Sequence, residues 1–292
     1  MRASVVSVEG KKLREISLPA SFEAEVDSGL IRRAVLSMRS MAVQPKGIYP
    51  LAGRENTARY IGRRSLPASE RGINVGRARL PRLNNRRGRI SGRVASVPRA
   101  VGGPVAHPPK VEAKRFERIN RKERKAALDS AVAATAKSGL VGARHVLPKE
   151  VSLPVVVEDS FEGIKKTKGL KLALKAMGLL DDVENAKAKA RRRAGRGKMR
   201  GRKKRQKKSI LIVTGKSADV FKAARNLPGV DVCAARNLNA ELLAPGCVPG
   251  RLVLWSEAAI AELGKRGEAG ERAVGKSRPG AEGKKRVKGH GS

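Results

Sequence analysis

Gly270, Gly275, Lys276 and Ser277, in GERAVGKS, satisfy the phosphate-loop spacing GxxxxGK[ST] letter for letter. That chemistry needs a buried strand before the loop and a helix after it, so that backbone amides converge on phosphate oxygens. Here GKRGEA precedes the motif and RPGAEGKKRVKGHGS follows it, both rich in glycine and charge, so the match reads as coincidence within a basic tail. Gly215, Lys216 and Ser217 do lie between an apolar run and a helical pattern, but Ile210 stands where the first glycine belongs. Paired carboxylates are equally thin: Asp181 with Asp182, and Glu158 with Asp159, come with no histidine, metal spacing or nucleophile elbow, and read as solvated caps and turns. His107 lies in a proline-rich stretch, His145 in an expected turn and His290 near the end, while Cys233 and Cys247 form no CxxC pair and read as small core residues. The expectation is no enzyme, no metal and no cofactor.

Arginine is the residue whose numbers do point to chemistry. Its flat, forked guanidinium matches phosphate oxygens two at a time. Lys46 to Lys110 holds 15 basic residues, 13 of them arginine, against Glu55 and Glu70, with nine glycines, seven prolines and both tyrosines, Tyr49 and Tyr60. The candidate phosphate binders here are Arg54, Arg59, Arg63, Arg64, Arg71, Arg77, Arg79, Arg82, Arg86, Arg87, Arg89, Arg93 and Arg99, with His107 and Lys110. A second run, Lys187 to Lys208, has 14 basic residues and no acid. Its candidates are Arg191, Arg192, Arg193, Arg196, Lys198, Arg200, Arg202, Lys203, Lys204 and Arg205. Gly195, Gly197 and Gly201 forbid a continuous helix there, and anchorage between two apolar strands favours a loop that orders against RNA.

Charge partition then defines the organisation. Gly264 to Ser292 adds nine basic and three acidic residues, so these three segments hold 38 of the 65 basic residues and only 5 of the 26 acids. What remains is nearly neutral, the pattern of one α/β domain with three basic excursions. A formal charge of +39 demands a polyanionic partner. No run of 18 apolar residues appears and Met1 to Gly10 lacks a signal-peptide core, so a soluble, intracellular protein is expected, with no membrane partner; the thin catalytic motifs lead to no small-molecule substrate being expected either.

The elements that carry these segments follow from hydrophobic period. Ala3 to Val8 reads as a strand, Ser21 to Ser40 as an amphipathic helix, and Glu112 to Lys137 as a helix stopped by Gly139 and Gly142. Short apolar runs then alternate with helical stretches: strands at Leu153 to Val157, Ile210 to Thr214, Val230 to Ala234 and Leu252 to Trp255, helices at Lys168 to Met177, Ser217 to Asn226 and, capped by Ser256, to Leu263, with a helical turn at Asn239 to Leu243. Such alternation specifies a mainly parallel sheet with helices on both faces. The boundaries expected are 1–45 and 111–263 for the domain, interrupted by the loop 46–110 and the basic insertion 187–208, and 264–292 for a flexible tail. No helix-turn-helix, zinc finger, RRM or KH signature is present. The loop, folded back on itself, could reach roughly 100 Å at about 3.3 Å per residue over half its length, which suits penetration between packed RNA helices.

Four stretches resemble a known family: RARLPR from Arg77, AVGGPVAHPPK from Ala100, RAGRGKMRGRK from Arg193, and ARNLPGVDV from Ala224 with LNAELLAPG and PGRLVLWSEAA beyond it. The chain is similar to the universal large-subunit ribosomal protein four family in its archaeal and eukaryotic branch, on the archaeal side by its length. The resemblance implies a Rossmann-like α/β domain bound to large-subunit rRNA, beside neighbouring ribosomal proteins. It also implies a loop that runs through rRNA to line the nascent-peptide exit tunnel, its tip at Gly72 to Arg93. Gly72, Arg77, Arg79, Arg82, Arg86, Arg87 and Arg89 are the tunnel-lining candidates. No nucleotide is implied, because GxGxxG is missing after the first strand. The alternatives are a general nucleic-acid packaging protein and a P-loop nucleotidase.

Overall fold

The computed structural model describes residues 1–68, 70–84, 89–148, 151–216 and 219–265. The chain divides into two units, one made of Met1–Arg39 with Glu117–Ser292 and the other of Ser40–Phe116.

The first unit is built on a six-stranded sheet. Its strands are β1 (Arg2–Val6), β2 (Lys12–Ser17), β3 (Val155–Val157), β6 (Leu211–Thr214), β7 (Asp231–Ala234) and β8 (Val253–Ser256), in spatial order β2-β1-β3-β8-β6-β7. Only β1 and β2 pair antiparallel; the other pairs are parallel. The apolar runs are buried on both faces, as runs without polar alternation must be. Val156, Leu211, Val213, Val253 and Trp255 face one cluster, with α1 (Ser28–Met41), α2 (Arg121–Ala136) and a helix over residues 257–265. Val155, Val157, Ile212 and Leu254 face the other, with α4 (Thr167–Ala176), α5 (Leu180–Ala188) and α6 (Val220–Ala224). The α/β architecture with a mainly parallel sheet is therefore as expected. The short α3 (Ser138–Gly142) and α7 (Ala240–Leu243) complete this unit.

Several boundaries differ for physical reasons. Strand β2, KLREIS, was not expected: it is an edge strand with almost every side chain exposed, so it shows no hydrophobic period. The first helix starts at Ser28 rather than Ser21, because Asp27 Oδ1 accepts the amides of Gly29 and Leu30 at 2.8 and 3.1 Å and caps it there; Phe22 sits in a separate 3-10 turn. Helix α2 begins at Arg121, nine residues later than Glu112. Helix α4 begins at Thr167, one residue before Lys168, and Gly178 takes the left-handed turn after it (φ +70°). Helix α6 is only Val220–Ala224, and α5 was unforeseen. The basic run expected to be irregular contains an antiparallel pair, β4 (Arg191–Arg192) with β5 (Lys204–Arg205), closed by a 3-10 turn at Arg196–Lys198.

The second unit, Ser40–Phe116, holds no helix of its own and no strand beyond isolated bridges among its described residues. Arg82 pairs antiparallel with Arg59 on one side and Val94 on the other. Turns and close backbone approaches do the rest. A Cβ on Gly103 would sit 2.0 Å from the Val97 carbonyl oxygen, so only glycine fits there. On the domain side, Ser37 Oγ donates to the Glu117 carbonyl at 2.7 Å, tying together the two points where the chain leaves and re-enters the first unit.

Candidate nucleic-acid interface

In the unit Ser40–Phe116 the expected phosphate binders fall into three groups. Arg54, Arg59, Arg63, Arg64, Arg77, Arg79, Arg89, Arg93, Arg99, His107 and Lys110 are exposed. Arg71 and Arg82 are half-buried and serve the loop itself: Arg71 donates to the Arg64 carbonyl at 2.9 Å, and Arg82 to those of Gly92 and Ala78 at 3.0 and 3.1 Å. Arg82, a tunnel-lining candidate, is thus a bracket that holds the bridged core of the loop. Arg86 and Arg87 lie outside the described residues, as do Ser69, Ser217 and the GERAVGKS motif. Gly72 is half-buried beside the Tyr60 ring. Among the described residues no carboxylate pairs with any arginine from Arg54 to Arg99, and Glu55 is taken by the Tyr49 hydroxyl at 2.5 Å. The cationic charge of this unit is left for an outside anion.

The hairpin β4–β5 presents Arg191, Arg192, Arg196, Arg200, Arg202, Lys203, Lys204 and Arg205 to solvent. Arg193 and Lys198 are half-buried and structural, donating to the carbonyls of Arg202 (3.0 Å) and Ala194 (3.0 Å). Met199 stands 82% exposed among these cations.

The root of this hairpin is fixed by a buried polar cluster that local sequence does not reveal. Asp182, expected to be a solvated cap, is fully buried. Its Oδ2 accepts from His145 Nδ1 at 2.8 Å and from Ser209 Oγ at 2.5 Å, and its Oδ1 from Lys207 Nζ at 3.0 Å and the Val146 amide at 3.2 Å. Burial alone would push the Asp182 carboxyl up, but the bonds from His145, Ser209 and Lys207 overcome it and hold the group well below the usual carboxylate range. Burial lowers the His145 pKa despite the carboxylate, so the ring is neutral at pH 7. An ionised carboxylate can only accept, which places the ring proton on Nδ1. His145, expected in a turn, is therefore one arm of the clamp, and its Nε2 is a buried acceptor with no partner among the described residues. A serine, a histidine and an aspartate meet here, but both Ser209 and His145 donate to the carboxylate, so no base faces the hydroxyl and no nucleophile is activated.

A second buried ion completes the root. Arg251 is fully buried, and its guanidinium donates to the carbonyls of Ser209 (2.8 Å) and Leu242 (2.9 Å) and to Asp231 Oδ2 at 2.6 Å. Burial lowers the Arg251 pKa and Asp231 opposes that shift. Lys208 Nζ reaches the other oxygen of Asp231 at 2.8 Å. Lys207 and Lys208 were within the basic run yet outside the candidate set. Their tell was position, directly before a buried strand.

At the carboxyl ends of the parallel strands, where an open α/β sheet places its ligands, two of the backbone amides are taken by carboxylates. Gly215 N–H donates to Glu162 Oε1 at 2.8 Å and Ala258 N–H to Asp159 Oδ1 at 2.9 Å. A Cβ on Gly215 would meet that of Ala258 at 2.7 Å. Among the described residues no cluster of three or more His, Cys, Asp and Glu could hold a metal ion, and no helix is long and apolar enough to cross a membrane. Cys233 is buried and Cys247 partly so; both are unpaired, and burial pushes the Cys233 thiol up.

The sequence was compared with known proteins. The profile of the family described as Ribosomal protein L4/L1 matches residues 16–266. The chain is 46% identical over 269 residues to "Large ribosomal subunit protein uL4" of Methanocaldococcus jannaschii, covering 92% of this chain and 100% of that one. It is 46% identical to the protein of the same name from Archaeoglobus fulgidus, over 91% of this chain and 99% of that one. With that of Methanospirillum hungatei the identity is 47%, over 90% and 99%. All three sources are archaeal.

Proposed function

Because the chain belongs to the ribosomal protein L4/L1 family, matched over most of its length, we propose that it is a structural, non-enzymatic component of the large ribosomal subunit that binds large-subunit rRNA and lines part of the nascent-peptide exit tunnel. The observation that carries this reading is the unit Ser40–Phe116, where a row of exposed arginines faces no carboxylate among the described residues. A protein surface that keeps so many guanidiniums unpaired is suited to phosphates, which bind them through charge and release of condensed counterions. Residues 46–110 thread the rRNA, with the tip at Gly72 to Arg93 nearest the nascent peptide; residues 187–208 form a second rRNA contact on the domain 1–45 and 111–263; and 264–292 is a basic tail making loose phosphate contacts. The partners are rRNA, neighbouring ribosomal proteins and the nascent peptide, in the cytoplasmic ribosome.

Arg77 and Arg79 are exposed within the expected tip, so they serve the test. Photocrosslinking groups placed singly at Arg77, Arg79 and, as a control, Arg225 are introduced into ribosomes carrying a stalled nascent chain. The proposal expects peptide crosslinks from the first two and none from Arg225. Crosslinks to rRNA alone at both tip positions would leave rRNA binding standing and remove the tunnel role.

A further inference from the structure

A recess of about 910 Å³ opens in the first unit between the root of the β4–β5 hairpin and the segment 239–246. That is within the range of small-ligand sites, roughly 300–1,000 Å³. Eight of its lining side chains are cationic and two, Asp231 and Glu241, are acidic. The pairing of these charges decides what the recess can take. Arg39 is paired with Glu241 at 3.0 Å, Lys207 with Asp182 at 3.0 Å, and Lys208 and Arg251 with Asp231 at 2.8 and 2.6 Å. Arg144 is committed to the carbonyls of Pro245 and Val248, at 2.6 and 2.5 Å. Lys189, Arg191 and Arg205 remain, exposed on one side and opposite no acceptor among the described residues.

The walls are rigid because buried groups hold both. Arg251 bonds the Ser209 carbonyl at the hairpin root and the Leu242 carbonyl in the opposite wall, so one fully buried guanidinium fixes the spacing between them. Asp182 secures Lys207 from beneath, and Arg144 secures the turn at Pro245. The far wall offers apolar surface, from Leu242, Pro245 and Gly246, next to the amide side chains of Asn239 and Gln206. Three unspent cations lining one recess with apolar groups and neighbouring amides match a nucleotide: charge for the phosphate, apolar surface for the base, and donors and acceptors for its edge. A duplex, with its bases paired inside, could use the cations but not the apolar surface.

We propose that this recess is a preformed subsite for one unpaired ribonucleotide of the RNA partner. Its phosphate is held by Lys189, Arg191 and Arg205, and its base lies on the Leu242–Gly246 wall. The inference rests on the rRNA-binding reading and adds to it a position where a single base is taken out of the stack.

The test is photocrosslinking of the full chain to large-subunit rRNA transcripts substituted with 4-thiouridine or 6-thioguanosine, with crosslinked peptides mapped by mass spectrometry. The expected result is a crosslink on the peptide containing Leu242 to Gly246, from a nucleotide in a single-stranded position. Arg191→Ala with Arg205→Ala should remove it, and Arg191→Lys with Arg205→Lys should restore it. Both sites are solvent-exposed, so melting temperature should not change, while the log–log salt slope of binding falls by about 1.4 for two lost single-strand contacts. Crosslinks confined to 46–110 and to the hairpin tip, with Leu242 to Gly246 clean, would overturn the subsite and leave rRNA binding intact. A crosslink there that survives both alanine changes would overturn the assigned phosphate contacts and with them the proposal. Absence of crosslinks anywhere would overturn this and the rRNA reading together.

Discussion

Asp182 shows how much one buried charge can organise. Its four bonds join the start of α5, the turn at His145 and Val146, and the last residues before β6. Asp182→Asn keeps the shape but removes the charge that Lys207 and the other three donors address, and should destabilise the fold by about 3 kcal/mol, measured by denaturant unfolding. The same cluster predicts a pH dependence. Both groups have folded pKa values below their unfolded ones, 6.5 for His145 and 3.8 for Asp182. Each therefore contributes stability that is complete above its unfolded value and is lost as pH falls toward its folded value. Melting temperature should decline from pH 6.5 downward as the unfolded histidine takes up a proton, and more steeply below pH 4. His145→Asn, whose amide can replace the Nδ1 donor, should flatten the first part of that decline; an unchanged slope would remove His145 from the account. None of this was legible locally. The Asp181–Asp182 pair looks like a solvated helix start, and its partners lie 37 residues before and 27 after in sequence.

At the scale of elements, legibility followed burial. The strands at 155–157, 211–214 and 253–256 are apolar on both faces, and their runs announced them. Strand β2 did not, because one exposed edge leaves no pattern, and α5, LDDVENAKA, merges into the charged run after it. The exposed arginines of the candidate interface could be read directly from composition, whereas those turned inward, Arg71, Arg82, Arg193 and Arg251, could not, since each is spent on carbonyls brought near only by folding. The hairpin root carries its own prediction. Gly229 has φ +78°, and a Cβ there would lie 2.5 Å from the Lys207 carbonyl oxygen, while its own carbonyl accepts the Ser209 amide at 2.8 Å. Gly229→Ala should cost roughly 1–3 kcal/mol and raise amide exchange in 204–209 before the rest of the sheet. Exchange that rises uniformly would show that the root is not a separate point of attachment.

For the whole molecule, charge and stability are carried by different parts. The apolar clusters lie on the two faces of the sheet in the first unit, and most of the +39 lies in segments outside the sheet. Since Ser37 and Glu117 already meet at 2.7 Å, replacing residues 43–114 with a short Gly/Ser linker should leave the first unit folded with melting changed little, while RNA association weakens and its salt slope falls to that of the remaining contacts. A large drop in melting would mean that the second unit supports the core.

The claim on which the rest depends is that the exposed arginines form an interface for large-subunit rRNA. Binding of the purified full chain to large-subunit rRNA and to a generic duplex of equal length, followed across salt concentration, tests it most directly. The account predicts tighter binding to the rRNA at moderate salt, with a log–log slope that falls by somewhat under one for each exposed arginine of 54–99 changed to alanine. Equal affinity for both nucleic acids, or a slope indifferent to those arginines, would contradict it.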